Sequence, residues 1–282
     1  MDLIERLNAA VKYIEDNLTG EIDYDKASKI ACCSLYYFQR IFSYMAGITL
    51  SEYVRRRKMS LAAVDIQNGE KILDTALKYG YSSPTSFNKA FQSVHGIAPS
   101  AAKLLSTSIK AYSPISFKLT IKGAEEMNYR VEKKDSFRVV GKSIPMFKEI
   151  EKNMSFIPGF WDKSVSDGTI EKLCTMMNGK INGMLGISDC ASSDSMKYFI
   201  AVNSSSDVPA GMEEYTVAER TWAVFSGEGE CPQAIQNLEK RIITDWLPSS
   251  GYEYDNGPDI ELYFGPDPKK ARFEVWIPVV KK

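Results

Sequence analysis

The chain has 282 residues, 44% of them hydrophobic, enough for two domains that each bury a core. Its formal net charge is −1, so no whole-molecule field argues for a polyanionic partner, and nucleic-acid binding must rest on local arrangement. No stretch approaches the ~18 apolar residues that span a bilayer and the N-terminus lacks a secretory pattern, so a cytoplasmic protein is expected; its five scattered cysteines (Cys32, Cys33, Cys174, Cys190, Cys231) imply reduced thiols, with neither metal nor cofactor.

From residue 3 to about 105 apolar residues recur at helical spacing. Leu3, Leu7, Ala10, Val11 and Ile14 predict a first helix, stopped by the Asn and Gly of 17–20. Asp23 can cap a second, to about residue 31, and Ser34 a third, to about residue 45, with Gly47 at its end. A long helix over about 50–68 carries Arg55, Arg56, Arg57 and Lys58. A short one over about 72–79 leads through Gly80 to another over about 84–94, with Pro84 in its first turn and Gly96 past its end. Up to residue 107 there are 13 Lys+Arg against 11 Asp+Glu, and beyond it 22 against 25, so the helical part is the more basic.

Residues 29–42 and 77–91 share one pattern: a short helix, a tight turn with a serine, then a helix with Phe at positions four apart (Phe38 and Phe42; Phe87 and Phe91). Those Phe pairs fix the inner face of each second helix and leave Tyr36, Gln39 and Arg40, and Thr85, Ser86 and Lys89, facing outward. Such side chains can reach base edges in a major groove. A helical bundle with a solvated face is the plainer alternative for one unit; two units on one long helix suit recognition helices about 34 Å apart, one DNA turn. The basic run covers all faces of its helix, so one or two members, Arg55 among them, contact phosphate while the rest pair with acids or cover apolar surface. His95, the one histidine, reads as structural.

Residues 106–126 mix Ser, Pro and Lys and read as a connection. Short β-rich runs follow at 129–131, 137–140, 197–202, 222–225, 260–264 and 273–279, interspersed with helical patterns, the clearest over 231–246. This is an α+β texture. Alternation sets Glu261 beside Tyr263, and Glu274 beside Trp276, on their own strand faces. Each acid is either an exposed strand residue or a buried anion in a ligand cavity.

Residues 3 to about 105 resemble the DNA-binding domain of the AraC/XylS family in the Phe38-Gln39-Arg40-Ile41-Phe42 core, the stretch from Gly47 to Met59, Ile72 to Ala76, Gly80-Tyr81-Ser82-Ser83, and Phe91 followed by His95-Gly96-Ile97-Ala98-Pro99. The resemblance implies a double helix-turn-helix unit reading successive major grooves of double-stranded DNA through the six outward residues, and recruitment of RNA polymerase. Cys32 stands where the family usually has Gly, and Pro84 where it often has a polar residue.

Residues 127–282 resemble the GyrI-like effector-binding domain in 137–143, Ile157-Pro158-Gly159-Phe160-Trp161, 222–227, the Asp245-Trp246-Leu247-Pro248 core, 257–263 and 273–279. That resemblance implies two pseudo-symmetric β-α-β-β halves with a pocket between them. Glu261 would be its central acid and Glu274 a second one, with Tyr263, Trp276, Trp161, Phe160 and Trp222 as aromatic lining. Such a site suits a lipophilic, often cationic, small molecule.

The expected architecture is therefore an all-α DNA-binding domain over 1–107, a linker over 108–126, and an α+β effector domain over 127–282. The expected function is an effector-responsive transcription regulator, most naturally an activator. The alternative is a GyrI-like hydrolase, using Glu261 and Tyr263, or a drug-sequestering protein, with a DNA-binding domain attached. Nothing else in the sequence supports turnover: nucleophile elbow, metal cluster and phosphate loop are all missing, so no enzyme is expected.

Overall fold

The computed structural model describes residues 2–118, 126–190 and 195–282. Two compact units result, residues 1–35 with 42–119 and residues 36–41 with 120–282.

The helices of the N-terminal part are α1 (Leu3–Asp16), α2 (Tyr24–Ile30), α3 (Leu35–Ala46), α4 (Leu50–Gln67), α5 (Ile72–Lys78) and α6 (Pro84–His95). Four of these helices start at a side-chain cap. Asp2 and Glu5 form a reciprocal capping box on α1, Asp23 accepts from Lys26 N at α2, Thr49 from Glu52 N at α4, and Ser83 from Ser86 N at α6. Gly96 ends α6 at φ 77°, while Cys32 holds φ 57° in the first tight turn, the one non-glycine residue with positive φ among those described. Around α4, α5 and α6 a core gathers Met59, Ala62, Ile66, Ala76, Phe87, Phe91 and Val94.

The members of the basic run of α4 have different partners. Arg55 and Arg56 pair with Glu52, and Lys58 donates to the carbonyls of Gly20 and Tyr79. Arg57 is buried, paired with Glu15 at 2.7 Å and donating to Tyr112 O.

The expected connection over 108–126 lies partly outside the described residues, and what is described of it is fastened down. Lys110 N donates to His95 Nδ1 (3.2 Å), Tyr112 N to Ser60 Oγ (3.0 Å) and Ile115 N to the Tyr53 hydroxyl (3.1 Å), while Asn8 bonds both backbone groups of Phe117. An extended segment with no ladder partner satisfies its backbone on side chains instead. Buried His95 is part of this fastening, its Nε2 3.0 Å from Met59 O.

The second unit is a nine-stranded antiparallel sheet of β1 (Tyr129–Lys134), β2 (Phe137–Pro145), β3 (Met184–Asp189), β4 (Lys197–Asn203), β5 (Glu213–Val217), β6 (Arg220–Gly229), β7 (Tyr252–Tyr254), β8 (Asp259–Tyr263) and β9 (Ala271–Lys281). Helices α7 (Ile150–Ser166) and α8 (Thr169–Thr175) connect β2 to β3, and α9 (Gln233–Arg241) follows β6. The order β1-β6-β9-β8-β3-β4-β2-β5, with β7 paired to β9, resolves into two copies of one motif, β2-α-β3-β4 and β6-α-β8-β9. They join along β3 and β8. In that ladder Gly186 opposes Glu261 as the middle of five pairs, at the pseudo-twofold axis. Strands β3, β5 and β7 were not expected from alternation; β3 is buried on both faces from Met184 to Ile187, and its apolar run has no period of two.

Candidate functional site

Glu261 is the centre of the candidate site. It stands on β8 opposite Gly186, where a Cβ would lie 2.8 Å from Glu261 Oε2 and 2.3 Å from the Tyr198 hydroxyl, so only glycine leaves room for these groups. The hydroxyls of Tyr198 and Tyr263 each donate to Glu261 Oε2 at 3.0 Å, and Trp161 Nε1 on α7 donates to the Tyr198 oxygen at 2.9 Å. Trp161 meets Tyr263 edge-on at 5.3 Å, and Phe160, Met184 and Met176 pack in the same cluster. No donor among the described residues reaches Glu261 Oε1. Burial, and next the nearby Glu239, push the Glu261 carboxyl up to about 7 against the pull of the two tyrosines and Arg40. Tyr198 and Tyr263 are pushed well above the ordinary phenol range by burial and by Glu261, so both stay as donors at neutral pH.

The other expected acid is elsewhere. Leu262 pairs with Glu274 and Glu261 with Val275, so the two acids point to opposite faces of the sheet. Glu274 does lie beside Trp276, whose Nε1 donates to it at 2.8 Å, and Arg130 holds its second oxygen at 2.9 Å. Trp222 and Trp276 pack against each other with Ile260 and Leu262 on that far face. Glu274, Trp276 and Trp222 are thus core residues, away from Glu261. The reason is the strand period: one residue of offset between β8 and β9 reverses the face.

Two further acids accompany Glu261. Asp259 lies two residues before it, on the same face of β8, and Glu239 comes from α9; both are buried. The guanidinium of Arg40 pairs with both, at 2.8 Å to Glu239 and at hydrogen-bond contact to Asp259. Burial pushes Asp259 up to about 6, against the attraction of Arg40. Tyr37 stacks on Tyr254 with ring centroids 3.5 Å apart, and Tyr36 packs in the apolar cluster that holds Tyr198, Trp161 and Phe160. Tyr36 and Arg40 are therefore buried, contrary to the outward placement expected of them, and Gln39 is half-buried. Helical periodicity identifies the side opposite Phe38 and Phe42, but it does not say what covers that side.

In the second repeat the expectation of exposure holds. Thr85, Ser86 and Lys89 are exposed on α6 while Phe87 and Phe91 are buried, although the Ser86 hydroxyl is engaged with Ser83 O at 2.8 Å. The Arg55 side chain is about half exposed beside Glu52.

Residues 130–279, more than half of the chain, match the family of integron-associated effector-binding proteins. The chain belongs to that family. Residues 27–103 match a helix-turn-helix domain. The curated relatives of this N-terminal part include the HTH-type transcriptional activator AarP of Providencia stuartii, 36% identical over 96 residues, which are 34% of this chain and 71% of AarP. The regulatory protein SoxS of Salmonella typhimurium is 30% identical over 95 residues, 33% of this chain and 89% of SoxS. A solved structure described as a putative bacterial transcription regulation protein from Staphylococcus aureus is 26% identical and covers 55% of this chain and 99% of its own, with a TM-score of 0.48.

In this integron-associated effector-binding domain, sequence reasoning located Glu261, Tyr263, Trp161 and Phe160, which the structure brings together, and missed Tyr198 as a site residue, Asp259 and Glu239. Signals for the two acids existed. Asp259 alternates in phase with Glu261, and Glu239 falls four residues after Ile235 and three before Ile242, inside the buried stripe of its helix.

Proposed function

We propose that the protein is a DNA-binding transcription regulator whose effector-binding domain takes a small lipophilic cation at Glu261. The observation that carries the effector class is the half-satisfied carboxylate: Oε2 receives two tyrosine hydroxyls, Oε1 is left for a ligand, and Trp161, Phe160, Tyr198 and Tyr263 supply rings for a cation's apolar bulk. Support for DNA binding comes from the helix-turn-helix match and from α6, which presents Thr85, Ser86 and Lys89 to solvent, with Arg55 as a phosphate contact. A domain over 1–107 would read DNA, a segment over 108–126 would connect, and 127–282 would sense. The likeness to a transcriptional activator supports activation; RNA polymerase as the partner and the cytoplasm as the location belong to the same proposal.

A second reading has one observation in its favour. A carboxyl near 7 flanked by two phenols suits general-base chemistry, so consumption of an electrophilic ligand is the competing outcome. The test is selection of bound duplexes from a random pool with the full chain at moderate salt, with and without tetraphenylphosphonium as a bulky monocation. A consensus sequence whose enrichment changes with the cation, together with recovery of the cation unaltered, is expected. Absence of any preference over competitor DNA refutes the regulator.

A further inference from the structure

The acid cluster already contains a cation. Glu239, Asp259 and Glu261 are three carboxylates against one guanidinium, and Arg40, buried with only 4% of its surface exposed, sits on two of them. Arg40 also lies near enough to Glu261 to favour its ionised form. Its neighbours in the chain complete the likeness to a ligand: Tyr36 lies in the aromatic cluster around Tyr198, and Tyr37 stacks on Tyr254. Two rings and a positive charge are the chemistry that an aromatic, acid-bearing site selects.

We propose that residues 36–40 are a resident pseudo-ligand of the effector site, and that an organic cation competes with Arg40 for the carboxylates and frees its guanidinium. The inference rests on the effector reading above. Removing Arg40 alone would strand two buried anions, which is costly; exchange for another cation leaves the acids partnered while the guanidinium returns to water. The apolar bulk of the incoming cation supplies the driving force, replacing Tyr36 and Tyr37 against the rings. Because Arg40 belongs to the second helix of the first repeat, its release makes a donor for guanine available only when the effector is bound.

The test uses the full chain, tetraphenylphosphonium and phenylglyoxal, an arginine-selective reagent, with modification at each arginine read by mass spectrometry. At saturating cation Arg40 should react at least about tenfold faster, while Arg57, held by Glu15, should not change. By calorimetry, Arg40→Met should bind the cation at least about tenfold tighter than wild type, because the internal competitor is gone. Unchanged protection of Arg40 at saturation, or an Arg40→Met affinity no tighter than wild type, overturns the proposal. Should Arg40→Met not fold, the wild-type modification decides alone. Glu261→Gln separates the two failures: if it weakens cation binding while Arg40 stays protected, only the pseudo-ligand falls. If the cation binds neither wild type nor Arg40→Met, the effector reading falls with it.

Discussion

The charge state of Glu261 should control cation affinity in a measurable pH window. Its carboxyl is raised from an ordinary 4.5 to about 7, chiefly by burial. A carboxyl at about 7 is roughly one-tenth ionised at pH 6 and nine-tenths at pH 8, so affinity for a monocation should rise about tenfold across that interval. The same shift has a stability consequence of defined sign. A carboxyl raised on folding stabilises the protein below its ordinary value, and that contribution is lost as pH rises through about 7; a bound cation restores it. Asp259, raised to about 6, titrates with the same sign, so the contribution of Glu261 is isolated by difference. A carboxylate and a cation about 4 Å apart attract by roughly 4 kcal/mol at the effective dielectric of a protein site, of which desolvation removes a good part. Glu261→Gln keeps an acceptor for the tyrosine hydroxyls and should lose about 2 kcal/mol of cation affinity at pH 8, near thirtyfold. Calorimetry with tetraphenylphosphonium at pH 6, 7 and 8 on both proteins measures this. A wild-type affinity flat across the series, or a Glu261→Gln variant with the same slope as wild type, refutes the argument.

Two further outcomes follow from residues outside the acid cluster. Cys32→Gly should stabilise the helical unit by about 1 kcal/mol, because an exposed side chain at φ 57° pays a steric cost that glycine avoids; an unchanged or lower urea midpoint would contradict this. Glu274→Ala should leave cation affinity within about twofold but destabilise the effector domain by about 1–3 kcal/mol, since Arg130 and the Trp276 N–H lose their acceptor. A variant of normal stability with weakened cation binding would return Glu274 to the site.

How far the sequence reaches depends on whether a signal is local. Helix limits in the N-terminal part follow from caps and stripes within a few residues, and the structure agrees with them closely. The pairings of Glu261 with Tyr263 and of Glu274 with Trp276 are also local, each spanning two residues of one strand. What alternation cannot supply is the phase between strands: that Leu262 rather than Glu261 faces Glu274 is set by the β8–β9 register, and it divides the expected site residues between two faces of the sheet. Arg40 is the extreme case. Its helix phase was readable, yet its partner Asp259 is 219 positions away, and periodicity within one helix carries no information about a partner at that separation. An acid inside a buried stripe, such as Glu239, is nonetheless a local warning, because a carboxylate there is stable only with a cation brought to it. Glu239 therefore calls for a basic partner from elsewhere in the chain, which the structure identifies as Arg40.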